Sequence, residues 1–307
     1  MDVMEPAPPL PPPPPIDDRC YRHPDRVTGV HSTRCGRAIC PDCMVPAPVG
    51  HQCPACAGRN RQEVVRPARP AGAAGGAAIT RALLLVLAAV FAIEVARGGP
   101  NTLMNGPNPR GLFDMGGALG YAIAAGQYWR MFTSMFLHIG IIHILMNSYA
   151  LFIFGNVIET EQGHRRYLVA LLTTGLAASA ASYAFGSPGV VSAGASGAIF
   201  GLFGMFLGQA WRRRNMAFYA ARVRSAMTMI LLNAFLAISI PAIDWRAHLG
   251  GLVAGVAIGY TGEGSGDPGT RRRHFALAVA FVAIATVALT VWRTAQLTPQ
   301  LHQLGII

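Results

Sequence analysis

Lysine is missing from this 307-residue chain, so all 25 of its basic side chains are arginines. That bias fits a high-GC genome better than it fits any mechanism. Charge of either sign is scarce, at 13% of residues against 52% hydrophobic. This balance argues against a soluble globule and for several membrane spans, because apolar runs of roughly sixteen to twenty residues recur. Cysteine is absent after Cys56, and all six cysteines fall between positions 20 and 56. A disulfide framework is therefore excluded for the membrane region, and the cluster points to a metal module in a reducing compartment. Charged residues at mid-membrane depth and an inverted repeat are also missing. Glu94 lies near the outer end of the first apolar run, and Asn233 stands alone in the fifth. A transporter or channel is thereby disfavoured. The N-terminus is acidic and proline-rich, unlike the basic-then-apolar order of a signal peptide. The net charge of +11 implies no nucleic-acid partner, since arginines of cytoplasmic loops account for most of it.

Residues 1–18 form a proline-rich tail, expected to be extended as polyproline II and either disordered or a docking site for a proline-binding partner. Residues 19–57 carry Cys20-x2-His23, Cys35, Cys40-x2-Cys43, His51-x-Cys53 and Cys53-x2-Cys56. Two-residue spacings let paired ligands grip one tetrahedral ion from a tight turn. One further ligand would complete eight, enough for two structural Zn2+ ions. The arrangement resembles a B-box-type cross-brace. By that resemblance Cys20, His23, Cys40 and Cys43 form one site, and Cys35, Cys53 and Cys56 the other. Ser32 occupies the place where a Cys-x2-Cys partner of Cys35 belongs. His31 or His51 must then supply the eighth ligand, or the second site is weak or empty. So small a module has little core, and zinc would supply much of its folding energy. Both sites are expected to be closed, and the module to bind a cytoplasmic protein partner. A flexible linker follows over 58–78.

Seven spans are predicted, at about 79–97, 134–158, 166–185, 196–211, 225–241, 247–261 and 274–293, with a tail over 294–307. A cytoplasmic N-terminus places fifteen arginines inside: Arg59, Arg61, Arg66, Arg69, Arg81, Arg165, Arg166, Arg212, Arg213, Arg214, Arg222, Arg224, Arg271, Arg272 and Arg273. Only five lie outside: Arg97, Arg110, Arg130, Arg246 and Arg293. This asymmetry predicts a multi-pass cell-membrane protein with a cytoplasmic N-terminus and an outside C-terminus. The first outside loop, about 98–133, is long and apolar, and Trp129 in it suits the headgroup level.

Within the spans four polar side chains stand out: Ser196 at the head of a glycine-rich helix, His248 alone in another, and His143 and Asn147 at i and i+4 on a third. Counted from the cytoplasmic ends, Ser196 and His143 lie roughly 24 Å up, His248 about 22 Å and Asn147 about 18 Å. Three helices thus bring polar groups to one level of a slab about 30 Å thick. Serine with histidine is the minimum for nucleophilic acyl transfer, and an Asn amide and an imidazole N–H could donate to an oxyanion. Gly197-x3-Gly201, Gly204-x3-Gly208 and Gly251-x3-Gly255-x3-Gly259 allow close backbone approach in lipid. Asp244 lies four residues before His248, toward the outer loop, so a Ser–His dyad is expected in preference to a triad. Gly194-Ala-Ser-Gly197 is not expected to be a nucleophile elbow, because Ala198 follows Gly197 and no strand is expected before the serine.

The stretch from about Gly126 to Tyr260 resembles the rhomboid intramembrane serine proteases. Trp129-Arg130, His138, His143-x3-Asn147, Gly155, Glu159, Gly194-x-Ser196-Gly197 and Ala247-His248 carry the likeness. The resemblance implies an all-α polytopic membrane fold, a six-helix core with a seventh helix added at the C-terminus. It also implies Ser196 as nucleophile, His248 as general base, and His143, Asn147 and the Ser196 N–H around the oxyanion. Catalysis would need no cofactor. The implied partners are the lipid bilayer and single-span transmembrane substrates. The alternative is a catalytically silent adaptor of the same fold that binds transmembrane helices.

Overall fold

The computed structural model describes residues 18–47, 49–59, 76–212, 223–224, 227–228, 243–262 and 267–307. The proline-rich tail, nearly all of the linker, and almost the whole fifth span with Asn233 lie outside them. So do Arg61, Arg66, Arg69, Arg213, Arg214 and Arg222. The chain divides into two compact units, residues 1–68 and 69–307.

The first unit has little regular structure. A 3-10 turn, Pro41–Cys43, leads to a hairpin of β1 (Val45–Pro46) and β2 (His51–Gln52), followed by α1 (Pro54–Arg59). Its buried centre is Ile39 with Cys20, Cys40, Cys43 and Cys53. A core made mainly of sulfur ligands cannot supply much burial energy of its own.

The second unit is an all-α polytopic membrane protein. Four helical stretches among the described residues are long and apolar enough to cross a membrane: Ala78–Gly98, Ile141–Gln162, His164–Phe185 and Pro268–Gln303. The first is α2. The loop expected outside, 98–133, folds as short helices α3 (Pro100–Asn105), α4 (Pro109–Asp114), α5 (Gly120–Ala124) and α6 (Arg130–Thr133), with β3 (Ala118–Leu119) before α5. Where a span over 134–158 is expected, Ser134–Phe136 is a 3-10 turn and the helix starts at Ile141. It comprises α7 (Ile141–Ala150), a π-turn (Leu151–Gly155) and α8 (Asn156–Gln162). Next come α9 (His164–Phe185), β4 (Val191–Ser192), α10 (Ser196–Arg212), α11 (Trp245–Gly262) and α12 (Pro268–Gln303).

Helix α10 is the centre. Leu202 and Met205 are fully buried, and Phe203 and Phe206 pack edge-on against Phe154. It touches α11 backbone to backbone. A Cβ built on Gly251 would lie 2.0 Å from the Gly197 carbonyl oxygen, one on Gly255 2.0 Å from that of Gly201, and one on Gly204 2.1 Å from that of Leu252. The glycine stripes therefore face each other, and no larger residue fits at these positions.

The end of the bundle where α2 begins is tied by Glu159. Its carboxylate accepts from the Ile79 and Thr80 amides, each at 2.8 Å, and from the Thr80 hydroxyl at 2.7 Å. Ala77, which precedes α2, gives no side-chain cap, so a carboxylate from another helix satisfies the orphan N–H groups and the positive helix end. Gly155 makes room for this knot, since a Cβ there would lie 2.8 Å from both the Thr80 and Tyr167 hydroxyls.

Helix α12 continues ten residues past the expected end at 293. Leu297 and Leu301 are fully buried in a cluster with Ile123, Met131, Ala180 and Tyr183. Tyr183 and Thr294 share a hydrogen bond of 2.9 Å, and Arg293 donates to the Gly186 carbonyl at 3.2 Å. Residues 294–303 are thus a packed part of the fold, where composition alone indicated a tail.

Two consequences can be measured. Gly255→Ala should lower stability by about 1–3 kcal/mol through overpacking. Gly189→Ala, whose Cβ meets only Tyr121 at 3.8 Å, should be near neutral; thermal unfolding in detergent compares them. Leu301→Ala should cost about 2–5 kcal/mol and expose the outer loop to limited proteolysis, although it lies outside the apolar run.

Candidate active site

Ser196 is the first residue of α10, and His248 lies one turn into α11. With the two helices in backbone contact, the His248 Nε2 reaches the Ser196 Oγ at 2.8 Å. Phe200, one turn along α10, stacks flat on the imidazole, with ring centres 4.1 Å apart and planes 9° from parallel. The ring is held by that stack. Its Nδ1 is buried and has no hydrogen-bond partner among the described residues.

Asp244 does not serve the ring. Its Oδ2 accepts from the hydroxyls of Ser182 and Ser192, the latter at 3.1 Å, and its Oδ1 accepts from the Ala247 N–H at 3.3 Å. One carboxylate thus joins three segments: α9, the strand leading to Ser196, and the first turn of α11. Sequence reading weighed Asp244 only as a third member of a triad. Its role as a clamp depends on two serines 52 and 62 residues away.

Helix α7 presents His143 and Asn147 on one face. The Ile139 N–H donates to His143 Nδ1 at 3.2 Å. Nδ1 is therefore the acceptor, and Nε2 carries the proton of the neutral ring. Gly194 permits the approach of this ring. Its φ is +136°, and a Cβ there would lie 2.8 Å from His143 Cε1, 3.1 Å from its Nε2 and 3.7 Å from Ser196 Oγ. The Asn147 Nδ2 is buried without a partner among the described residues, so it is an unspent donor.

Glu94 was not singled out as a site residue from the sequence. It is fully buried, and its Oε1 accepts the His138 N–H at 2.9 Å. The His138 ring is centred 5.2 Å from that of His143. The usable signal was the cost of a lone carboxylate in an apolar span. The outer loop is organised by Arg130, which donates to the carbonyls of Phe113 (2.6 Å) and Gly117 (3.1 Å) and to Gln127 (2.7 Å), and stacks on Phe113 and Trp129. Strand β3 of that loop pairs antiparallel with β4, Ala118 opposite Ser192. Beside this pair lies a cavity lined by Ser134, Ser179, Ser182, Ser187, Ser192 and Gly194, among others. Its hydroxyls suit water.

In the first unit Cys20, His23, Cys40 and Cys43 converge, and Cys35, Cys53 and Cys56 form a second cluster, with ligand atoms within 4.8 Å of one another in each. The His23 Nδ1 lies 3.8, 3.3 and 3.5 Å from the sulfurs of Cys20, Cys40 and Cys43. A tetrahedral ion with metal–sulfur bonds of about 2.3 Å and metal–nitrogen bonds of about 2.0 Å needs edges of roughly 3.5 Å. Burial and the neighbouring thiols of Cys20 and Cys40 push the Cys43 thiol up to about 11. A cation at the centre would relieve that crowding. The first cluster therefore fits a metal ion.

The expected eighth ligand is not found at His31 or His51; neither ring joins the second cluster. Residues 31 and 38 form a bridge in extended chain, so neighbours 31 and 32 face opposite ways. His31 Nε2 points toward Asp18, 3.9 Å from its carboxylate. Ser32 faces the cysteines instead: its Oγ accepts the Cys53 N–H at 3.1 Å. The Ser32 hydroxyl and the Arg37 backbone hold the Cys35 thiol down to about 6.

Comparison with known proteins bears on the second unit. The profile of the family described as "Rhomboid domain" matches residues 125–263. "Rhomboid protease GluP" of Bacillus subtilis is 36% identical over 165 residues, 54% of this chain and 31% of that protein. "RHOMBOID-like protein 1" of Arabidopsis thaliana is 34% identical over 173 residues, 55% of this chain and 43% of its own length. YdcA of Bacillus subtilis is 31% identical over 138 residues, 45% of this chain and 69% of YdcA. The chain thus spans less than half the length of the first two.

The clamp can be tested by stability. Asp244→Ala strips three donors of their acceptor and should cost about 1–3 kcal/mol. Asp244→Asn keeps an acceptor oxygen and should cost less; unfolding midpoints in detergent would separate the two.

Proposed function

The chain belongs to the rhomboid family, and on that premise we propose that it is an intramembrane serine endopeptidase acting on single-span membrane proteins. One observation carries the proposal: the 2.8 Å contact between Ser196 Oγ and His248 Nε2, at the head of a buried helix and beside a hydroxyl-lined cavity.

In the proposed reaction the Ser196 oxygen attacks the scissile carbonyl carbon while its proton passes to His248 Nε2. The carbonyl π electrons move onto oxygen. Donors for that oxyanion are the Nε2–H of His143, the Asn147 amide and the Ser196 N–H, which lies in the first turn of α10 where backbone donors have no intrahelical partner. Collapse expels the new amine, which takes the proton from His248 and leaves an acyl ester on Ser196. Water then attacks the ester with His248 again as base, and the second product leaves as an acid. The Nδ1 of His248 meets no carboxylate among the described residues, which favours a dyad; the Phe200 stack and the Asp244 clamp hold the geometry.

Helix α10, with 17 residues, is about 25 Å long and shorter than the apolar slab of about 30 Å. Ser196 therefore sits below the surface, where a substrate helix must unwind to offer a peptide bond. Spans containing glycine or proline are the proposed targets. The arginine distribution supports an inside N-terminus and an outside C-terminus. The first unit is proposed to bind zinc, on the Cys/His donor set and its tetrahedral edges, and to engage a cytoplasmic protein.

A fluorophosphonate probe applied to membranes tests the dyad. Wild type should label, while Ser196→Ala and His248→Ala should not. With a cleavable substrate, His143→Ala or Asn147→Ala should each lower kcat by about 10²–10³. No labelling of wild type would favour the silent adaptor, and full labelling of His248→Ala would remove His248 as base.

A further inference from the structure

The two clusters of the first unit are built differently. In the first, four protein ligands close around one point, and Cys20, Cys40 and Cys43 are 1–2% exposed. In the second, only three sulfurs converge; Cys35 is exposed and Cys56 half-buried. Cys35 and Cys53 sulfurs stand 3.7 Å apart, close to the roughly 3.8 Å edge of a tetrahedral thiolate site with metal–sulfur bonds of about 2.3 Å. Two corners are thus already at ligand spacing without any ion.

Ser32 belongs to this site. It precedes Cys35 by three residues, the spacing of a ligand pair, and is 2% exposed. Its hydroxyl accepts the Cys53 backbone N–H. A neutral hydroxyl is a poor zinc ligand beside thiolate, and this one already accepts the Cys53 N–H. Among the described residues no histidine or carboxylate joins the three sulfurs. Among the described residues the fourth coordination position is thus left to solvent, on the side where Cys35 is exposed.

We propose that the second cluster is a three-thiolate zinc site whose fourth ligand is water, and that its ion exchanges readily while the ion of the Cys20–His23–Cys40–Cys43 site stays fixed. The physical reason is access. A closed tetrahedral site must lose a protein ligand before a competitor can bind, whereas an open position admits the competitor directly. The module is then half permanent scaffold and half metal-responsive. This rests on the zinc assignment made above, and the test separates the two.

The experiment uses the full chain in detergent, equilibrated in a buffer that fixes free zinc near 1 µM (about the range where a weak structural site fills). Bound zinc is counted by elemental analysis, and release to a chromogenic chelator is followed in time. Wild type should hold two equivalents and release them in two equal phases separated by about tenfold or more in rate. Ser32→Cys, which supplies the missing thiolate, should keep both equivalents and lose the fast phase. Cys35→Ser should lose the fast equivalent and keep the slow one. Two equivalents leaving in a single phase would overturn the inference, as would a fast phase unchanged in Ser32→Cys, or one bound equivalent. Absence of any bound zinc would overturn the zinc assignment itself.

Discussion

Direct contact between the backbones of α10 and α11 is the constraint on which the rest depends. Lipid offers no hydrophobic drive to press helices together, so association relies on close packing. Glycines at 197, 201 and 204 on one helix and at 251, 255 and 259 on the other bring carbonyl oxygens to where a Cβ would lie 2.0–2.3 Å away at several points. Only at this separation can a short serine side chain meet an imidazole from the next helix. The stripe that packs the membrane core is thus also the device that aligns Ser196 with His248.

Around that pair the protein spends polar interactions sparingly and at segment junctions. Glu159 caps the start of α2, Asp244 binds the strand before Ser196 to the first turn of α11, and Glu94 holds the backbone of His138. Glu159 and Asp244 receive backbone and hydroxyl donors in place of water, which is how a charged group is tolerated when it is taken out of water. The outer loop is held from three sides, by Arg130 within it, by β4 against it and by the end of α12 over it.

The first unit follows another logic. With a core of little more than Ile39 and cysteine sulfur, its order depends on its ligand clusters. Four ligand side chains converge in one cluster and three in the other, with Ser32 bound to the backbone of Cys53 beside the second.

Much of this was legible in the sequence because it is local and periodic. Apolar runs marked the spans, i and i+4 spacing put His143 and Asn147 on one face, glycine stripes announced close helices, and Cys-x2-Cys pairs announced metal clusters. Depth counting also set Ser196, His143 and His248 at one level. What the sequence could not carry were contacts between distant segments. These include the hydroxyls that claim Asp244 from 52 and 62 residues away, the burial of Leu297 and Leu301 under the outer loop, and the start of the second span at Ile141. The choice between His31 and Ser32 at the second cluster belongs with them. It turned on which of two neighbouring side chains reaches Cys53, which contacts with distant residues decide. Sequence alone thus determined which chemical groups are present and at what spacing along each helix; tertiary packing decided which of them meet, because a hydrogen bond depends on ångström-scale approach that no one-dimensional pattern encodes.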